Sequence, residues 1–193
     1  MKDTREKILL ASQDLLANHG YAGFSLGAIA EQLKISKGVV TYHFSQKDLI
    51  VSELVATYFH DAAAYMAIHM VIDKTAPEAL ESYIDANLRY VNVNRNQTLA
   101  IMHIIANHRD KDGLLAFSDK DNLIYQPLIE IFQYGQNEEK SFREFPPELM
   151  AMFVRSVIDT LSARIATNQI ENFEDAVQET VHSFILATRR DQP

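Results

Sequence analysis

Apolar residues recur at steps of three and four along almost all of this 193-residue chain, and alternating apolar–polar runs are nearly absent. That spacing places apolar side chains on one face of a helix and rules out a sheet as the main framework. In "EKILLASQDLLANHG" the residues Ile8, Leu9, Ala11, Leu15 and Leu16 share a face, and Gly20 follows as a helix-ending glycine. Only six glycines and five prolines interrupt the pattern, and no segment repeats at a fixed period of 20–50 residues. The expected fold class is all-α, with about nine helices.

Start signals divide the pattern. Asp3 with Glu6 predicts a capping box, as do Ser45 with Asp48, Thr75 with Glu78, and Asn172 with Asp175. Ser25 is placed to cap a second helix in which Leu26, Ile29, Ala30 and Leu33 face inward, and Ser36 to cap a third. A long fourth helix is expected from about Gln46 to Met70, a fifth to about Val93 and a sixth over "NQTLAIMHIIAN". A seventh is expected from about Ser118 to Gly135, bent at Pro127, an eighth from Pro146-Pro147 to about Thr167, and a ninth over "FEDAVQETVHSFILATRR". Arg189 and Arg190, near the end of that last helix, complement its dipole.

The net charge of −8 is unevenly spread. Residues 1–50 carry six Lys/Arg against five Asp/Glu, a balance of +1; residues 51–193 carry 12 against 21, a balance of −9. An acidic surface repels phosphates, so the first 50 residues are the part suited to face nucleic acid. No apolar run approaches the ~20 residues of a membrane span. The N-terminus mixes acids and bases without a signal-peptide core, and there is no cysteine for disulfide or thiolate chemistry. A cytoplasmic location fits these features.

The segment "ISKGVVTYHF", residues 35–44, breaks the local rule, because Gly, Val and Thr are poor helix formers between two good helical patterns. Residues 25–44 read as helix, three-residue turn, helix, the helix-turn-helix unit whose second helix enters a DNA major groove. Gly38 then removes a side chain where backbone and DNA would approach most closely. Ser36, Lys37 and the bare amides of the first turn suit a phosphate, and Lys37 also reaches a guanine edge. Val39 and Thr41 offer methyl groups to thymine, Tyr42 and His43 offer donors to the backbone, and Phe44 anchors the helix to the core. Other readings stand beside these: a helical hairpin that only packs, a buried helix-end His43, a solvated Lys47, and a Tyr42 whose hydroxyl merely meets water.

The stretch from Ile8 to Ile50 resembles the tetracycline-repressor (TetR) family of bacterial transcriptional regulators. The resemblance covers roughly residues 5–55 and rests on Gly20-Tyr21, Phe24-Ser25, Ile29-Ala30, Leu33, Ile35-Ser36-Lys37-Gly38, Tyr42-His43-Phe44, Lys47 and Leu49. It implies an all-α homodimer with a helix-turn-helix DNA-binding domain over residues 1–48 and a ligand-binding and dimerisation domain over residues 49–193. It also implies that Ser25, Lys37, Gly38, Val39, Thr41, Tyr42, His43 and Lys47 face DNA. Thr41 departs from the pattern, since many members carry Tyr there; the phosphate contact of that Tyr is then either lost or taken over by Tyr42.

Beyond residue 60 only composition guides the reading. Met66, Met70, Tyr83 and Tyr90, with Met102, Tyr125 and Phe132, suit the wall of a largely apolar ligand cavity, or an ordinary core. His69, His103 and Asn107 lie in apolar stretches and would orient a ligand there, or else bond within that core. In the last two helices apolar residues exceed what one face needs. Phe153, Val157 and Leu161, with Val181, Phe184 and Ile185, supply a second stripe suited to a four-helix dimer interface. No His or carboxylate pair has metal spacing, and His103 and His108 fall on different helix faces. No P-loop or nucleophile elbow is present, so neither a catalytic residue, a metal nor a cofactor is expected. The function expected is a dimeric regulator, most simply a repressor released from operator DNA by a small-molecule effector. The alternative is a dimeric small-molecule binding module without DNA binding.

Overall fold

The structure is a computed structural model that describes residues 3–71, 73–117 and 124–190. Among these the chain forms nine α-helices: α1 Thr4–Gly23, α2 Leu26–Leu33, α3 Lys37–His43, α4 Lys47–His69, α5 Ala76–Val93, α6 Arg95–Asn107, α7 Gln126–Asn137, α8 Pro147–Ala166 and α9 Phe173–Thr188. They group into two compact units. The first takes the chain up to Asp61 and returns for Asn94 to residue 118; the second holds Ala62–Val93 and the rest of the chain.

The division differs from a boundary after residue 48. In the first unit α6 packs along α1, so it belongs with the N-terminal helices although it lies far along the sequence. Polar bonds fix it there: Asn96 Nδ2 donates to Asp14 Oδ1 at 2.8 Å, and the Tyr58 and Thr98 hydroxyls meet at 3.0 Å. Ile8, Leu16, Ile29, Val40, Ile50 and Ile104 are fully buried. Gly20 ends the first stretch of α1 with a positive φ of 66°, a backbone conformation open chiefly to glycine, and a short helical stretch to Gly23 follows.

In the second unit the core gathers Leu80, Ile84 and Leu88 of α5, Leu128 and Phe132 of α7, and Val154 and Ile158 of α8. Thr75 and Glu78 form the expected capping box: the Thr75 N–H donates to Glu78 Oε2 at 3.1 Å, and the Glu78 N–H to Thr75 Oγ1 at 3.4 Å. Asn172 caps α9 by accepting from the Asp175 N–H at 3.3 Å. Two start signals behave differently. Asp3 makes no side-chain cap bond, and its carbonyl instead accepts from the Lys7 N–H at 3.0 Å. Pro127 stands in the first turn of α7 and opens that helix rather than bending it, because the missing proline N–H is an unpaired position there anyway. Residues 118–123 of the expected seventh helix lie outside the described residues.

Among the glycines, Gly135 is the most closely packed. A β-carbon there would lie 2.3 Å from Phe142 Cδ2 and 2.9 Å from the Ala76 β-carbon. Phe142 is itself buried against Phe132 and Phe145. Gln136 Nε2 donates to the Arg143 and Phe145 carbonyls at 2.8 and 2.9 Å, which fixes the segment that carries Phe142. Gly135→Ala should therefore destabilise the protein by about 1–3 kcal/mol, the usual cost of overpacking. Thermal denaturation reads this as a lowered Tm.

Candidate nucleic-acid interface

In the first unit α2, α3 and the start of α4 each leave residues exposed to solvent. Ser25 Oγ accepts from the Ala28 N–H at 3.1 Å and sets the start of α2. That helix ends on Lys34, which adopts the left-handed conformation (φ 55°) while its N–H bonds the Glu31 carbonyl at 3.1 Å. The chain turns through Ile35, and Ser36 Oγ accepts from the Val39 N–H at 3.3 Å to open α3. Both serine caps expected from the sequence are formed. They also satisfy amides that a seven-residue helix of poor formers would otherwise leave bare.

The short α3 is held from one side. Within it only Val40 is buried, and Phe44 follows at 2% exposure as the anchor. The Arg5 guanidinium stacks over the Phe44 ring at 4.8 Å and pairs with Glu53, linking the start of α1 to the end of α3 and the second turn of α4. Away from the core stand Lys37, Gly38, Val39 and Tyr42; the Tyr42 side chain is 85% exposed. His43 is half-buried and meets Tyr42 edge-on at 5.2 Å. The Thr41 hydroxyl donates within its own helix, lying 3.1 Å from both the Lys37 and Gly38 carbonyls. Its methyl group is therefore the part left for another molecule.

Gly38 separates a structural from a functional reason for a glycine. Its φ is not left-handed, and a β-carbon there would meet only Ser36 Oγ, at 3.6 Å. The chain's own packing has room for a side chain, in contrast to Gly135. A glycine inside a helix costs about 0.5–1 kcal/mol relative to alanine, so the residue suits an outside molecule better than it suits the fold.

Lys47, at the first residue of α4, is half-buried, with its ammonium 4.6 Å from the centre of the Tyr21 ring. The Tyr21 hydroxyl lies 2.6 Å from His108 Nδ1 at the end of α6. No local pattern could have revealed this pair, which is 87 residues apart.

The residues expected to line a ligand cavity fall into two groups. In the second unit Tyr83 and Phe132 are part of the buried core, with Met66, Met70 and Tyr125 packed partly buried against it. Tyr90 is also buried and lies 5.5 Å from Tyr65, whose other neighbour is the exposed His69, stacked at 3.8 Å. Met102, His103 and Asn107 belong instead to α6 of the first unit, where Asn107 Nδ2 donates to the His103 carbonyl of its own helix. Sequence reasoning missed Arg155, a polar centre in the second unit. Its guanidinium donates to Asn87 Oδ1 at 3.1 Å and pairs with Asp159 at 2.7 Å. Burial works against its charge, yet Asp159 and Tyr83 outweigh burial and hold its pKa above the ordinary value.

The six residues of the expected dimer stripe also divide. Phe153 (48% exposed) and Val157 (38%) stand on an open apolar face of α8 with Leu149 and Met152. Leu161, Val181, Phe184 and Ile185 are partly buried against the core of their own chain.

A capped, core-anchored helix-turn-helix followed by a helical second unit is the architecture of a helix-turn-helix transcriptional regulator. Residues 8–54 match the family of bacterial regulatory proteins described as the tetR family. The match runs from within α1 into α4 and takes in the whole helix-turn-helix. Along most of its length it is similar to the HTH-type transcriptional repressor AcnR of Corynebacterium diphtheriae, at 22% identity over 93% of this chain and 92% of the relative. A tetR-family regulatory protein from Rhodococcus RHA1 shares the fold with a TM-score of 0.81, at 17% identity over the whole of both chains. The ketosteroid regulator KstR2 of Mycobacterium tuberculosis does so with 0.79, at 16% identity over 99% and 97%. A regulator from Saccharomonospora viridis, solved in complex with choline, does so with 0.76, at 21% identity over 96% and 98%. No helix among the described residues is long and apolar enough to cross a membrane.

Proposed function

We propose that this regulator is a homodimeric cytoplasmic repressor, without enzymatic activity, that a small-molecule effector releases from operator DNA. Residues 1–48 carry the DNA contacts and residues 49–193 the effector site and the dimer interface. The observation that carries the DNA assignment is the outer face of α3, with an unobstructed Gly38 beside an 85% exposed Tyr42. Lys37, exposed at the first residue of α3, and Lys47, at the first residue of α4, supply charge for phosphates, while the net acidity of residues 51–193 keeps phosphates away from the rest of the chain.

Release then works as a population shift. A dimer binds when its two recognition helices fit successive major grooves, about 34 Å apart. An effector shifts the equilibrium only by its differential affinity for the two states. The residues around Tyr83, Phe132 and Met66 favour an apolar effector with one or two polar groups; His69, Met70, Tyr90 and Tyr125 of the same unit are the further candidates to touch it. The acidity of residues 51–193 favours neutral or cationic compounds over anions, and the choline-bound S. viridis regulator is a relative in fold whose ligand is a cation. A compound screen read by thermal shift and operator release should therefore find neutral or cationic hits; activity confined to highly polar anions would contradict the assignment.

Operator titrations over a range of salt concentrations test the DNA face. Lys47→Ala should weaken binding to every duplex and lower the salt slope by about one unit, as loss of one phosphate contact does. Lys37→Ala should in addition relax sequence preference. Unchanged affinity in both variants would leave the alternative, a small-molecule binding module that uses the same dimer without DNA.

A further inference from the structure

Lys47, Tyr21 and His108 form a chain of contacts inside the first unit. The Lys47 ammonium sits 4.6 Å from the Tyr21 ring centre, within the range of a cation–π contact. The Tyr21 hydroxyl is 2.6 Å from His108 Nδ1, a short hydrogen bond. His108 is 8% exposed and stacks on Phe117 at 5.6 Å, and its N–H bonds the Ile104 carbonyl at 2.7 Å. The imidazole is thus fixed at the end of α6, and the hydroxyl bond fixes the plane of the tyrosine ring. The ring in turn offers one face to the lysine.

We infer that Tyr21 and His108 are positioning residues for DNA binding, which hold the Lys47 ammonium in place for a phosphate through the Tyr21 ring. The inference rests on the DNA assignment of Lys47 proposed above. A free lysine loses close to 2 kcal/mol of rotamer freedom when it is fixed. A lysine already held on a ring has lost part of that freedom before DNA arrives, which raises affinity without any added contact. The same linkage makes the end of α6, through His108, a place where a change in that helix alters DNA affinity with no movement of α3.

Two readouts test this. In the free protein the Lys47 ε-methylene protons should resonate upfield, under the ring current of Tyr21. Tyr21→Phe keeps the ring and removes only the hydroxyl; with His108→Leu it should return those protons toward the ordinary lysine position. In operator titrations Tyr21→Phe should lower affinity by roughly twofold to tenfold, the range of one hydrogen bond. It should also reduce the salt slope toward that of Lys47→Ala. In a Lys47→Ala background Tyr21→Phe should cost nothing further. Equal losses in both backgrounds, or an unshifted Lys47 resonance in the parent protein, would overturn the inference. A parent protein that selects no DNA while its Lys47 resonance is shifted would instead defeat the functional assignment, and the phosphate role with it.

Discussion

Gly38→Glu should abolish operator binding while leaving the melting temperature nearly unchanged. The structure gives each half of that result a separate cause. A β-carbon at Gly38 meets only Ser36 Oγ, at 3.6 Å, and the backbone is not left-handed, so the fold accepts a side chain. A carboxylate on the outer face of α3 would confront DNA phosphates, and like charges set face to face across an interface cost several kcal/mol. That corresponds to a loss on the order of a hundredfold to a thousandfold. Gly38→Ala isolates the steric part. It should raise stability by about 0.5–1 kcal/mol, because alanine favours the helix, and should still weaken DNA binding. Normal operator affinity in both variants would mean that DNA does not approach this backbone. Unfolding of both would give the glycine a structural role that its surroundings do not suggest.

The second large effect concerns assembly. Val157 stands 38% exposed on the open face of α8 beside Phe153, whereas Phe184 of α9 is partly buried against its own core. If this face of α8 pairs with its copy under two-fold symmetry, Val157→Asp buries a charge without a partner only in the dimer. It should yield folded monomers, with dimer dissociation strengthened by on the order of a hundredfold or more. Phe184→Arg places its charge against the monomer core, so it should lower the melting temperature as well. Both should lose specific DNA binding, since one short recognition helix reads too few bases. Sedimentation with thermal melting separates the two outcomes; two dimeric variants with normal operator affinity would move the interface elsewhere.

What the sequence made legible follows from the range of the forces involved. The serine caps at Ser25 and Ser36 and the helix-ending Gly20 act over three or four residues, so their spacing alone predicts them. The helix-turn-helix was legible because its parts are consecutive, and Phe44 proved to be its buried anchor. Pro127 was misjudged because the same residue bends a helix or opens one according to where the first turn lies, and nothing local to it fixes that turn. The place of α6 beside α1, the Tyr21–His108 bond and the half-buried Arg155 with Asn87 and Asp159 were not legible. Each joins segments far apart in sequence or depends on burial that only the tertiary packing sets. For the same reason Met102, His103 and Asn107 looked equivalent to Tyr83 and Phe132, although the fold places them in different units.

The central claim is that the face made by Ser25, Ser36–Val39, Thr41–His43 and Lys47 reads a specific DNA sequence. Selection and sequencing of fragments from the protein's own genome tests it most directly, with Gly38→Glu run in parallel. The wild-type chain should enrich a short inverted repeat whose half-site centres lie about one helical turn, roughly 34 Å, apart or a multiple of it. Enrichment should fall as salt rises, and Gly38→Glu should enrich nothing. If the wild-type chain enriched no sequence, or if Gly38→Glu enriched the same one, this surface would not be the reading face.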